Sequence, residues 1–218
     1  MAKDLAIILN NGSLNSAVAT AVAAQKYRPI MLYVETGPQT GLRGRAAYEQ
    51  QVAVFKPYRE HTAAMPFLAS LTAQSAAAAQ SADPRQTGML APHLLDLLPL
   101  VTTAVRFASH YQASAVYLGL RVGPGADELA QATEFVQILN ELVQLPCEQP
   151  DLEIIAPLLE LEPWQVVDVG VQVNAPLEKG WSCLEETPDP CWACRGCRTR
   201  EAAFTQAGKP DPLRGLRK

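Results

Sequence analysis

Four of the five cysteines lie within fifteen residues near the C-terminus, spaced C-x7-C-x2-C-x2-C at Cys183, Cys191, Cys194 and Cys197. Thiols at this spacing must converge, and nothing else in the chain restricts its fold as tightly. Two overlapping CxxC steps and one upstream thiol can surround a single tetrahedral ion. Four soft sulfur donors suit Zn²⁺, with Zn–S bonds near ~2.3 Å. A closed structural zinc site that serves folding is the first expectation. Three other readings stay open at this level. Disulfides would need an oxidising compartment, and the opening MAKDLAIILNNGS has an apolar run too short for a secretory signal. An iron–sulfur cluster also takes four cysteines. A redox CxxC would open a helix after a strand and would not require the further thiols.

The chain has 218 residues, enough for a sizeable core. Its net charge is −4, and apart from the run between Arg195 and Arg200 the cations are scattered. Such a surface argues against long nucleic acids as partners. No apolar run reaches the roughly eighteen residues that a bilayer span needs. The expectation is a soluble, cytoplasmic protein with neither a nucleic-acid nor a membrane partner.

Short apolar runs alternate with amphipathic stretches. Leu5 to Leu9 reads as a strand covered on both faces and stops at Asn10-Asn11-Gly12-Ser13. An Ala-rich helix follows over 16–25, with Asn15 or Ser16 able to cap it. A second strand is expected at Ile30 to Val34, and a second helix at Arg45 to Lys56 after a Gly-rich loop. Residues 60–69 can hold a strand, although Pro66 opposes it. Residues 70–92 read as a helical fragment and a loop. Further helices are expected at His93 to Tyr111, kinked or started by Pro99, at Asp127 to Leu145, and at Pro163 to Val173. Strands are expected at Ala115 to Gly119 and at Ile154-Ile155. This alternation predicts a doubly wound parallel α/β sheet over residues 1–175, with a small zinc-binding module over 176–218 packed on it.

In such a sheet, ligands gather at the carboxyl ends of strands, where the first strand-to-helix turn offers N–H groups and a helix dipole to an anion. Asn11, Gly12, Ser13, Asn15 and Ser16 occupy that turn. The same composition also makes an ordinary capped turn with no ligand.

Together, the turn and the cysteines resemble the 7-cyano-7-deazaguanine synthase family of PP-loop ATP pyrophosphatases. That family's loop reads S-G-G-x-D-S after the first strand. Its tail reads T-W-S-C, then P-C-G-x-C-x-x-C-x-x-R-x-x-A-F and A-G-x-x-D-P. Here the tail reads Trp181-Ser182-Cys183, Pro190-Cys191, Cys194, Cys197, Arg200, Ala203-Phe204, Ala207-Gly208 and Asp211-Pro212. The resemblance implies an adenine nucleotide alpha-hydrolase-like fold and a homodimer. It implies ATP with Mg²⁺, and a nucleotide or deazapurine ligand at Asn11, Gly12, Ser13, Asn15 and Ser16. The family's reaction converts the carboxylate of 7-carboxy-7-deazaguanine to an amide and then a nitrile in queuosine metabolism.

Departures from the pattern begin in the loop and continue beyond it. Asn11 stands for its first Ser, Ser13 for its second Gly and Asn15 for its Asp, so that only Gly12 and Ser16 match. Gly180 replaces the Thr before Trp181, and of the family's Y-P-D-C-R-x-E-F this chain has Glu134-Phe135. Losing the Asp removes an oxygen ligand for Mg²⁺, and no catalytic residue is assigned. Two expectations follow: altered or reduced ATP-dependent activity, or a non-catalytic relative acting as a binding or assembly subunit. Trp181 and Trp192 are expected to shield the metal from water, and Arg195, Arg198 and Arg200 to offset the charge of four thiolates.

Overall fold

The computed structural model describes residues 4–37, 42–71, 90–122, 125–147, 151–185 and 187–215. Leu5–Leu9 forms β1 at the centre of a five-stranded parallel sheet. Its flanks are β2 (Arg28–Glu35) and β4 (Ala115–Leu118), with β3 (Arg59–Ala64) and β5 (Glu153–Ile155) at the edges. The order is β3-β2-β1-β4-β5. Register places Ile7 beside Ile30 on one side and Val116 on the other.

Because side chains alternate along a strand, neighbours in β1 serve two cores. Ile7, Ile30, Leu32, Val116, Leu118 and Ile154 face α3 (Leu90–Tyr111) and α4 (Ala126–Cys147). Ala6, Ile8, Ala115 and Tyr117 face the opposite way. There α1 (Leu14–Lys26) covers the sheet, and α2 (Leu42–Phe55) brings Tyr48 against Met31 and Tyr33. Both faces are therefore sealed, and the strands read as continuous apolar runs for that reason.

A further core joins the tail to the front of the chain. Leu14, Val18 and Ala19 of α1 pack with Val166 and Val167 of α5 (Pro163–Gln172) and with Ala203 and Phe204 of α6 (Arg195–Gln206). A short 3-10 turn at Leu177–Lys179 and the final helix α7 (Pro212–Gly215) complete the described elements. No helix among the described residues is long and apolar enough to cross a membrane.

Most expected elements lie where the periodicity puts them, with three informative differences. Helix α1 starts at Leu14, and its cap is Ser13, not Asn15 or Ser16, with the Ser16 N–H donating to the Ser13 hydroxyl at 3.2 Å. Ser13 has φ −72°, so its side chain causes no left-handed strain. Strand β3 ends at Ala64, and residues 67–71 after Pro66 are helical. Pro99 lies inside α3, which runs on through it. The loop expected within 70–92 falls largely outside the described residues.

Candidate functional site

Strand order reverses at β1, so the crevice between β1 and β4 is the topological switch point of the sheet. The turn after β1 forms one wall and Gly119 to Arg121, after β4, the other. Gly12 turns the chain with φ 78°. A Cβ there would overlap the Gly44 carbonyl oxygen, so α2 crosses closely over the loop. Gly12→Ala must bear both a left-handed backbone and that overlap, and is expected to cost about 2–3 kcal/mol. Thermal unfolding checks this, and an unchanged melting temperature would contradict it.

The loop is held from below by two buried amides that the sequence reading missed. Asn10, 1% exposed, donates to Thr20 Oγ1 and Gln51 Oε1 at 3.0 and 2.9 Å, while its Oδ1 accepts the Gly12 N–H at 2.8 Å. Gln51, fully buried, donates to the carbonyls of Gly12 (3.0 Å) and Lys179 (3.1 Å). Trp181 N–H reaches the same Gly12 carbonyl at 2.9 Å, stitching the tail onto the loop. An Asn ending an apolar run was the available signal for Asn10. Nothing in the local pattern marks Gln51, whose partners are distant in sequence.

Most of the loop's donors are satisfied internally. Asn11 Oδ1 accepts from the Ser13 N–H (3.1 Å) and the Ser16 hydroxyl (2.8 Å), and the Asn11 N–H meets Ser16 Oγ at 3.4 Å. Asn15 differs. Among the described residues neither its carboxamide nor its backbone N–H has a hydrogen-bond partner.

Two cavities open beside the loop. One, about 340 Å³, lies between it and the tail residues Trp181 to Leu184. The other, about 290 Å³, lies over the ends of β1, β2 and β4, with apolar walls from Leu9, Val34, Leu97, Leu100, Leu118 and Leu120. Asn11, Ser13, Asn15 and Arg121 line both, and among the described residues no Asp or Glu lines either.

The four cysteines converge as expected, their Sγ atoms within 4.8 Å of one another. A tetrahedron with ~2.3 Å metal–sulfur bonds has edges near ~3.8 Å, and Cys183 Sγ lies 3.9 Å from Cys194 Sγ. Backbone N–H groups of Leu184 and Cys197 point at Cys194, those of Glu185 and Cys191 at Cys183, and those of Ala193 and Cys194 at Cys191, at 3.3–3.5 Å. Burial opposes ionisation of Cys194, but hydrogen bonds from the Leu184 and Cys197 N–H groups and the neighbouring thiols outweigh it, lowering its pKa to about 6. Burial pushes Cys197 up to about 12. Four sulfurs at this separation, supplied with N–H donors, fit a thiophilic ion, and the cluster can hold a metal.

Trp192 has φ 56°, a left-handed conformation where the family pattern has Gly. The Arg214 guanidinium lies 4.8 Å above its ring and helps to hold it. Gly180, in place of the family's Thr, has a similar steric origin, since a Cβ there would sit 2.7 Å from Leu14 Cα. Of the three arginines expected to offset thiolate charge, Arg200 instead pairs with Asp211 at 2.7 Å.

These features define a doubly wound parallel α/β protein with a crevice at its switch point and a four-cysteine tail that can hold a metal. The model of the family described as queuosine biosynthesis protein QueC matches residues 5–208, and the chain belongs to that family. It is 27% identical to the 7-cyano-7-deazaguanine synthase of Aliarcobacter butzleri, over 96% of this chain and 94% of that one. It is also 27% identical to the 7-cyano-7-deazaguanine synthase of Chloroherpeton thalassium, over 95% of each chain. Among solved structures, NAD+ synthetase from Burkholderia pseudomallei aligns at 12% identity and a TM-score of 0.42, covering 95% of this chain and 76% of that chain.

Proposed function

We propose that this chain is a 7-cyano-7-deazaguanine-synthase-like protein of the PP-loop type that takes a nucleotide or deazapurine ligand in the switch-point crevice. On this reading it retains a reduced ATP-dependent capacity to carry a 7-deazaguanine carboxylate to the amide and nitrile. Cys183, Cys191, Cys194 and Cys197 hold a structural Zn²⁺ that crosslinks the tail. Membership of the QueC family over residues 5–208 carries the reading. The crevice adds support, because it has apolar walls for a flat ring and polar groups at one end.

Reduced activity follows from the loop's own bonding. An anion approaching the turn finds the N–H groups of Asn11, Gly12, Ser13 and Ser16 already satisfied by side chains. Electrostatic stabilisation of transferring phosphate requires donors that are open before the reaction. The same observation favours the second reading, a non-catalytic binding or assembly subunit. Incubation with 7-carboxy-7-deazaguanine, ATP, Mg²⁺ and ammonia, followed by mass spectrometry, decides between them. Slow formation of amide or nitrile is expected; none beyond a protein-free control leaves the second reading.

A further inference from the structure

We propose that Arg121 and Asn15 hold an oxyanion directly at the junction of the two switch-point cavities, without a divalent cation. The occupant is the phosphate or carboxylate of a flat heteroaromatic ligand. This deepens the ligand reading above and rests on it for the identity of the ring, but not for the anion.

Arg121 follows β4 and lines both cavities. Its guanidinium is half-buried, and its hydrogen bond among the described residues goes from Nη1 to the carbonyl of Val122, its own neighbour, at 2.8 Å. No carboxylate lies within 4.0 Å of it among the described ion pairs, which involve Arg45, Arg200 and Arg214. Burial depresses its pKa, and Arg195 adds to that effect while Glu162 opposes it. A desolvated guanidinium keeps its charge, so an anion that replaces lost water is strongly favoured. Asn15 adds its carboxamide and its N–H on the first turn of α1, a thirteen-residue helix whose N-terminus favours negative charge.

Among the described residues, the cavity walls offer no carboxylate to hold Mg²⁺ in the usual way. That ion takes carboxylates together with phosphate oxygens, and among the described residues no Asp or Glu lines either cavity. A cation supplied by the protein therefore takes the place that a metal would occupy. The 290 Å³ cavity beside Arg121 is walled by leucines and Val34 and suits the ring to which the anion is attached.

Calorimetric titration of the full chain with inorganic pyrophosphate, ATP and 7-carboxy-7-deazaguanine, each in EDTA and in millimolar Mg²⁺, tests this. Binding of at least one probe in EDTA is expected, with Mg²⁺ tightening it by less than about threefold. Arg121→Gln should weaken that binding by about tenfold or more, equivalent to about 1.4 kcal/mol. Arg121→Lys should restore part of it, and adenosine, which carries no anion, should bind wild type and Arg121→Gln alike. Asn15→Ala provides a second variant should Arg121→Gln fold poorly, with a smaller loss in the same direction. Pyrophosphate or ATP as the better probe identifies a phosphate site; the deazapurine acid identifies a carboxylate site. Binding that requires Mg²⁺, binding unchanged in Arg121→Gln, or no binding of any anion overturns the proposal. Metal-free anion binding without nitrile formation would remove the enzymatic reading and leave this site standing. Nitrile formation with binding unchanged in Arg121→Gln would do the reverse.

Discussion

Cys194→Ser is expected to lose the bound metal and to lower the melting temperature by about 10 °C or more. Zinc binding in small modules is worth on the order of 10 kcal/mol, comparable with the whole stability of an ordinary domain. Here much of that energy has no substitute. Residues 182–194 contain no described helix or strand, and most are exposed or half-exposed. Their main fixed points among the described residues are the thiols and the N–H groups aimed at them. Cys194 is also the N-cap of α6, its Sγ accepting the Cys197 N–H. A serine hydroxyl can replace the cap but is a poor ligand for a soft four-sulfur site. Metal analysis should find about one zinc per wild-type chain, and chelation should reproduce the melting loss of the variant. Iron in place of zinc would keep the four-thiolate site and change its ion. Unchanged melting with unchanged metal content would mean that the cysteines do not hold the tail together.

Loss of the ion is expected to spread beyond the tail. Cys197 and Arg200 lie one turn apart on α6, and Ala203 and Phe204 of that helix cover Leu14 and Val18 of α1. Helix α1 begins at the loop, so the cysteine cluster and the candidate ligand site share one mechanical path.

Much of this was legible from the chain alone, for a physical reason. Buried parallel strands have no solvent face, so Leu5 to Leu9 and Ala115 to Leu118 show themselves as unbroken apolar runs. The thiol spacing is local and needs no fold to be read. What escaped is what the fold creates between distant segments. Gln51 looks like any polar residue of an exposed helix, yet it is fully buried because α2, the loop and the 3-10 turn meet there. Arg121 carries no motif and gains interest only from standing between two cavities. Helix α6 was hidden by its own cysteines and arginines, which make the run polar on average although its apolar residues share one face. Ser13, two residues before Asn15 and three before Ser16, takes the cap directly after Gly12 turns the chain.

Arg200→Ala is expected to cost about 3–5 kcal/mol while leaving the metal in place. The guanidinium is buried and makes a bidentate pair with Asp211, Nε to Oδ2 at 2.7 Å and Nη2 to Oδ1 at 2.8 Å. Its remaining hydrogen bonds go to main-chain carbonyls, Nη1 to Gly180 at 2.7 Å and Nη2 to Leu177 at 2.9 Å. Removing one partner of such a pair leaves a buried carboxylate and an orphaned Gly180 carbonyl, while the Leu177 carbonyl keeps the Gly180 N–H at 3.3 Å; that is a far larger loss than the pair's net contribution. Asp211→Ala should be comparably harmful, and Arg200→Met with Asp211→Leu should cost less than the two single changes added together. The effect on the loop separates two roles for this arginine. If it served to offset thiolate charge, its removal would first release the metal. As a clamp it fixes Gly180, whose neighbours Lys179 and Trp181 are tied to Gln51 and to the Gly12 carbonyl. Melting by calorimetry should then fall by roughly 6–20 °C with zinc content unchanged, and anion binding at the loop should weaken alongside it. Metal loss at constant stability would overturn the clamp and restore the charge-offset role that position 200 suggests from sequence.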